Sequence, residues 1–302
     1  MNPTLKRTLC GIAVGAAVVA FFLYCPLKVV PVVLLALSLL VQLEFYQMAR
    51  KYEPVTWFGL MAGAAWIIAS AAFPGPVGFA GSMTGLCVGG VPIIFLLSCI
   101  VLFTPRYTKP IGTIAVTMAG FLYVPFLLSF FLRIVQLAPD PEVMLFAMPE
   151  TRVGLYTLLA VVALAKFSDT GGFAFGMAFG RHKMCPTISP KKSWEGLVGS
   201  MVFATATAAV LLALSRRFGW GDHCLLWKYF TWPLLVPAGI CFALAATAGD
   251  LIESRFKREC GVKDSATFMP AGMGGFLDML DSVIFLPAFV YPVELYLYRV
   301  PA

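Results

Sequence analysis

Leu197-Val-Gly-Ser-Met-Val-Phe-Ala-Thr-Ala-Thr-Ala-Ala-Val-Leu-Leu-Ala-Leu214 runs for 18 residues without a charged side chain. An α-helix needs about 20 mostly apolar residues to cross the hydrocarbon of a bilayer, and this run meets that need almost alone. Comparable runs lie near 9–25, 29–48, 57–73, 78–103, 111–137, 153–177, 232–250 and 280–297. The whole chain agrees with them. Its 302 residues are 60% hydrophobic and 12% charged, with a mean hydropathy of +0.87, whereas soluble chains are about half apolar and about a quarter charged. A single water-facing core could not hide so much apolar surface, and a chain this apolar is not disordered. The expected fold is an all-α polytopic integral membrane protein with about nine transmembrane helices. The fourth to sixth runs are long enough to tilt, break or extend beyond the bilayer. The first follows Lys6 and Arg7, and Cys25-Pro26 is a poor cleavage site with another span directly after it. It therefore reads as a retained helix rather than a secretory signal.

Positive charge sets the orientation. With the N-terminus cytoplasmic, fourteen Lys and Arg residues fall inside, among them Arg50, Lys51, Arg181, Lys191, Lys192, Arg255, Lys257, Arg258 and Lys263, and seven fall outside. Lys166 stays within a span. The two most polar loops, 178–196 and 251–279, then face the cytoplasm, as would suit an inner-membrane protein with cytoplasmic chemistry. The formal charge of +7 belongs to these loops, and basic residues so few and scattered do not make a nucleic-acid surface. Residues 1–150 read as N-terminal transmembrane helices, about five spans, and 151–302 as a C-terminal catalytic region with two cytoplasmic motif loops. The eight cysteines contain no CxxC and mostly sit in apolar runs, as small buried hydrophobes. There is no HExxH and no GxxxxGK[ST], which removes zinc proteases and P-loop ATPases.

The chemistry gathers at the C-terminal end. Eight of the fifteen acidic residues lie between 169 and 281 in or beside the two motif loops: Asp169, Glu195, Asp250, Glu253, Glu259, Asp264, Asp278 and Asp281. Carboxylates suit hard cations such as Mg²⁺, and the Lys and Arg beside them suit phosphate oxygens. Asp278 and Asp281 stand i, i+3 at the start of an apolar run, so one helical face would present both. Gly274-Gly275 precede them and permit close backbone approach to a ligand. Asp250 closes another apolar run, and Ser254, Lys257 and Arg258 continue at near-helical spacing. Glu44, inside the second span, is either a functional intramembrane carboxylate or a helix-end group that snorkels or pairs with Arg50. Gly172, Gly176 and Gly180 recur every four residues and read as a helix-packing face of the small-xxx-small kind in preference to a close approach to a nucleotide.

Two stretches carry a resemblance. Gly249-Asp250…Ser254…Lys257-Arg258…Lys263-Asp264, followed by Pro270…Gly274-Gly275…Asp278-Met-Leu-Asp281, resembles the C-terminal motif of the phosphatidate cytidylyltransferase (CDP-diacylglycerol synthase) family. Asp169…Gly176…Gly180-Arg181…Ser189-Pro190-Lys-Lys192-Ser193-Trp-Glu195-Gly196 is similar to a second motif of that family. The chain departs from the pattern at Met273 and Met279, where the family has His and Arg. The resemblance implies transfer of a cytidylyl group from CTP to phosphatidic acid, giving CDP-diacylglycerol and pyrophosphate for phospholipid biosynthesis. It implies Asp250, Asp264, Asp278 and Asp281 as ligands of Mg²⁺, with room for a second cation. Lys257, Arg258, Lys263 and Asp264 would carry the chemistry. Ser189, Lys192, Ser193, Glu195, Ser254, Gly274 and Gly275 would bind substrate, and family analogy adds a homodimer.

Two other classes stay open on the sequence. A CTP-dependent kinase of a lipid alcohol would need a base for the hydroxyl. A transporter of an anionic solute would spread its acids over several helices near the midplane, unlike the clustering seen here.

Overall fold

A computed structural model describes residues 19–21, 24, 26–73, 89–137, 153–218, 231–262, 265 and 275–299. The chain is mostly helical. The helices are α1 (Val30–Met48), α2 (Thr56–Ala72), α3 (Val91–Phe103), α4 (Pro110–Phe121), α5 (Leu127–Gln136), α6 (Val153–Phe179), α7 (Trp194–Phe218), α8 (Trp232–Cys260), α9 (Phe276–Leu280) and α10 (Leu286–Arg299). Pro sits in the first turn of α1, α3, α4 and α8, where its missing N–H would have had no intrahelical partner. Among the described residues, five stretches are long and apolar enough to cross a bilayer: Leu27–Met48, Pro110–Gln136, Gly154–Phe179, Trp194–Arg217 and Trp232–Cys260. Thr56–Ala72, Val91–Phe103 and Leu286–Leu297 are shorter apolar helices. The expected 9–25 span lies almost wholly outside the described residues, so a count of nine is not reached among them.

The structure adds detail at three places. The long fifth run is broken, with a π-helical segment Leu122–Phe126 around Pro125 joining α4 to α5. Pro cannot supply the N–H that a regular turn would use there. The polar loop after α6 folds as a hairpin: β1 (Lys183–Cys185) and β2 (Ser189–Ser193) pair antiparallel, Lys183 opposite Ser193 and Cys185 opposite Ser189. The ninth run does not form one helix from 280 onward. α9 ends at Leu280, residues 281–285 turn, and α10 starts at Leu286, so Asp278 and Asp281 stand on a short helix and its exit rather than on a span.

The largest apolar cluster joins Val30, Val41 and Phe45 of α1 to Leu128 and Leu132 of α5, Leu155 and Leu158 of α6, and Val290 and Tyr291 of α10. It draws on both halves of the chain. α6 and α7 share the most extensive helix contact. A Cβ on Gly199 would lie 2.6 Å from the Gly171 carbonyl oxygen, so the two backbones meet only because neither position has a side chain. Gly172 and Gly176 face Gly196 in the same seam. At the far end of the bundle, α8 stops sharply. Gly261 takes φ 75, its N–H bonds Arg258 O at 3.1 Å, and Val262 N–H bonds Lys257 O at 3.0 Å. This left-handed cap fixes where the polar end of α8 finishes.

Candidate active site

The last three turns of α8 carry Asp250, Glu253, Ser254 and Lys257, spaced so that they share a face. The turn after α9 meets that face closely. A Cβ on Gly249 would collide with the Asp281 carbonyl, so the glycine next to Asp250 lets Asp281 approach. One carboxylate oxygen from each of Asp250, Glu253 and Asp281 lies within 4.8 Å of the others.

Lysines surround this group. Lys192, reaching from β2, holds Asp250 Oδ2 at 2.9 Å and donates to Thr247 O at 3.1 Å. Lys257 bridges Glu253 Oε2 at 3.1 Å and Asp278 Oδ1 at 2.7 Å. Asp278 Oδ2 also accepts the Gly275 and Ser265 N–H groups at 2.7 and 3.2 Å. On the α6 side, Lys166 donates to Ser282 Oγ and Met279 O, both at 3.1 Å. Ser282 Oγ donates to Asp169 Oδ2 at 2.8 Å, and Ser282 N–H to Asp281 Oδ1 at 2.6 Å.

Five carboxylates thus meet three lysines. With all of them ionised, two negative charges stay unbalanced, and like charges this close resist ionisation. Burial first, and then the Asp250 charge, push the Asp281 carboxyl up to about 6. Asp278 goes the other way. Burial opposes its charge, but hydrogen bonding with the Glu253 carboxyl, Lys257 and the Gly275 N–H outweighs burial and holds it at about 2. Glu253 has no exposed surface, and its Oε1 meets no donor among the described residues. A buried oxygen without a partner is costly. Surplus negative charge, hard oxygen donors and this orphaned atom together fit a divalent cation held by Asp250, Glu253 and Asp281.

The profile of the family described as "Cytidylyltransferase family" matches residues 5–297. The chain belongs to the cytidylyltransferase family. Among its relatives is a phosphatidate cytidylyltransferase of Mycobacterium bovis, 39% identical over 137 residues, 45% of this chain and 40% of the relative. One from Haemophilus influenzae is 38% identical over 130 residues, 43% of this chain and 42% of the relative. One from Staphylococcus saprophyticus is 37% identical over 138 residues, 45% of this chain and 48% of the relative. The matched stretch spans less than half the length of each of these relatives.

Within this chain, the structure brings Asp250, Ser254, Lys257, Asp278, Asp281, Gly275 and Lys192 together. Ser254 Oγ donates to Asp250 Oδ1 at 3.3 Å. Asp278 stands apart from the three-carboxylate group, with Lys257 and two backbone N–H groups on its oxygens. Arg258 points elsewhere, its Nε donating to Ile188 O between the strands at 3.2 Å. Ser193 is buried and accepts the Gly196 N–H at 3.1 Å, capping α7. Glu195 pairs with His182 Nδ1 at 2.6 Å and accepts the His182 N–H, closing the hairpin. Ser189 begins β2. Lys263, Asp264 and Gly274, like Met273, lie outside the described residues.

The sequence sets Glu253 among the acids of the motif loops without marking a role for it. The signal was present, since Glu253 stands three residues after Asp250 and four before Lys257. Lys166 and Asp169, an i, i+3 pair inside an apolar run at 3.7 Å, were equally legible and equally unassigned. Glu44 could not have been placed from sequence. Fully buried, it accepts the Leu277 N–H at 2.9 Å and fastens α1 to α9, across 233 residues of chain. Burial this complete is incompatible with snorkelling.

Proposed function

We propose that this chain transfers a cytidylyl group from CTP to phosphatidic acid, producing CDP-diacylglycerol and pyrophosphate. The observation that carries the reading is the carboxylate group Asp250, Glu253 and Asp281, ringed by lysines, in a membrane chain of the cytidylyltransferase family. An oxygen of the lipid phosphate bonds to the α-phosphorus of CTP as the bond to the bridging oxygen of the β-phosphate breaks, and pyrophosphate leaves. The attacking phosphomonoester is already anionic near neutrality, with a second pKa of about 6. No general base is required, and catalysis reduces to positioning and charge neutralisation.

Asp250, Glu253 and Asp281 would hold Mg²⁺, which when bound acts as Lewis acid and template for the phosphates; Asp264 is a further ligand in this reading. Lys192 and Lys257 keep their ammonium groups at the rim of the carboxylate group, where phosphate oxygens arrive; in this reading Lys263 also binds phosphate, and so does Arg258 once it leaves Ile188 O. Asp278 fixes Lys257, while Ser193 and Glu195 fix the strand that carries Lys192. In this reading Ser189, Ser254, Gly274 and Gly275 bind substrate. Nine spans, an inner-membrane location with the motif loops cytoplasmic, a catalytic region over 151–302 and a homodimer complete the proposal. CTP is a cytoplasmic metabolite, so the orientation and the chemistry require one another.

The test is incubation of the purified protein with labelled CTP and phosphatidate. Labelled CDP-diacylglycerol and stoichiometric pyrophosphate are expected, with both abolished in Glu253→Gln. A phosphorylated lipid alcohol with release of CDP, or no lipid product from folded protein, would refute the proposal.

A further inference from the structure

The β1–β2 hairpin joins two stretches that are long and apolar enough to cross a bilayer, so it lies at a membrane surface. Residues 181–193 hold Arg181, Lys183, Lys191 and Lys192 and no acidic residue. Neighbouring side chains on a strand point to opposite faces. Lys192 turns inward to Asp250, whereas Lys191 is exposed, as are Arg181 and Lys183. The two roots of the hairpin are aromatic: Phe179 ends α6 at 61% exposure and Trp194 opens α7 at 55%. Such side chains settle at the level of lipid headgroups. Below Trp194, exposed Val198 and Val202 follow at steps of four residues, a lipid-facing stripe that brings the bilayer to the base of the hairpin.

We propose that Arg181, Lys183 and Lys191, bounded by Phe179 and Trp194, form a binding surface for the headgroups of anionic phospholipids. It is separate from the carboxylate group and gathers anionic lipid beside it. Each basic residue at an anionic surface favours it by about fivefold. The strand couples the two places, because Lys191 faces the headgroups while the adjacent Lys192 holds the site. This surface goes beyond the reaction proposed above and does not depend on it.

The full chain is reconstituted in phosphatidylcholine nanodiscs containing equal fractions of brominated phosphatidylglycerol or brominated phosphatidylcholine. Trp194 emission is taken as the difference between the unmodified protein and Trp194→Phe. Brominated phosphatidylglycerol should quench it several-fold more strongly at low salt. That excess should vanish in the Arg181→Ser, Lys183→Ser, Lys191→Ser triple variant and at about 0.5 M salt. Equal quenching by the two lipids in the unmodified protein overturns the proposal whether or not the triple variant folds. Loss of the excess on adding millimolar CTP or inorganic phosphate overturns it too, since the cations would then serve soluble phosphates. Phosphatidylglycerol is not the proposed substrate, so a protein that makes no CDP-diacylglycerol can still show the excess.

Discussion

Lys257 holds two carboxylates at once, Glu253 at 3.1 Å and Asp278 at 2.7 Å, and its own side chain is 13% exposed. Removing one partner of a buried ion pair costs about 3–5 kcal/mol, because the charge left behind is desolvated and unpaired. Lys257→Met should therefore lower the unfolding midpoint in detergent markedly. Adding Glu253→Gln and Asp278→Asn should restore much of that stability while activity stays absent, since the charges needed for chemistry are gone. Recovery of activity along with stability would show that Lys257 serves the fold alone. Asp281 carries a pH prediction. Its carboxyl, raised to about 6 by burial and then by Asp250, must lose its proton to take a cation. Ion affinity should fall by up to about tenfold per pH unit below pH 6, read by calorimetric Mn²⁺ titration. Flat affinity between about pH 5 and 7 would place the ion away from Asp281. In the ion-free protein the two aspartates act in opposite senses. Asp281, raised above its ordinary 3.8, stabilises the fold at acid pH and loses that contribution as pH climbs through 6. Asp278, held at about 2, contributes above its ordinary 3.8 and loses that contribution as pH drops towards 2.

Elements carry these residues to each other, and the α6–α7 seam is the most demanding of them. Gly199 faces the Gly171 backbone oxygen at a distance that leaves no room for a Cβ. Gly199→Val should force the helices apart, at about 1–3 kcal/mol for overpacking. Because the hairpin hangs between these two helices, Lys192 would retreat from Asp250 as well. The expected outcome is a lowered thermal midpoint together with reduced turnover, whereas Val202→Ala, on the exposed face of α7, should change neither. Unaltered stability in Gly199→Val would mean that the seam is looser than the contact implies. α8 makes the complementary point. Its Gly261 cap and its Gly249 contact together decide how far the polar end projects and how near Asp281 comes.

For the whole molecule, Glu44 of α1 bonds the start of α9, and Lys51 and Tyr52 reach Glu259 at the end of α8. The N-terminal helices thereby hold the C-terminal site, and the hydrophobic core that joins both halves supports the same arrangement. Orientation is tested by cysteine accessibility. Fourteen of the twenty-two basic residues lie on the side assigned to the cytoplasm, and the exposed positions Lys191 and Arg217 stand at opposite ends of this bundle. In intact cells, a membrane-impermeant thiol reagent should label Arg217→Cys and spare Lys191→Cys. The reverse pattern would deny CTP access to the site and sink the proposed reaction. At the same level, excess EDTA should abolish turnover and added Mg²⁺ should restore it; full activity in the chelator would exclude a cation at Asp250, Glu253 and Asp281.

Membrane residence was written into the sequence, because hydropathy depends on composition over about 20 residues and needs no partner. The same holds for the polar end of α8, where Asp250, Ser254 and Lys257 share a face by helical period alone. Other features needed distant neighbours. The hairpin was hidden because Ser189-Pro-Lys-Lys-Ser193 has little intrinsic strand preference, and it pairs only where α6 and α7 deliver its ends side by side. The break after Leu280 was hidden for a related reason. The 280–297 run is apolar throughout, and only contact with Gly249 and the Lys166 bonds to Met279 and Ser282 turns it aside. Glu44 and Glu253 show the limit most clearly. Local sequence shows only a carboxyl on a helix, but whether it bonds the start of another helix or joins a group of carboxylates depends on what stands opposite, and that is decided by tertiary packing.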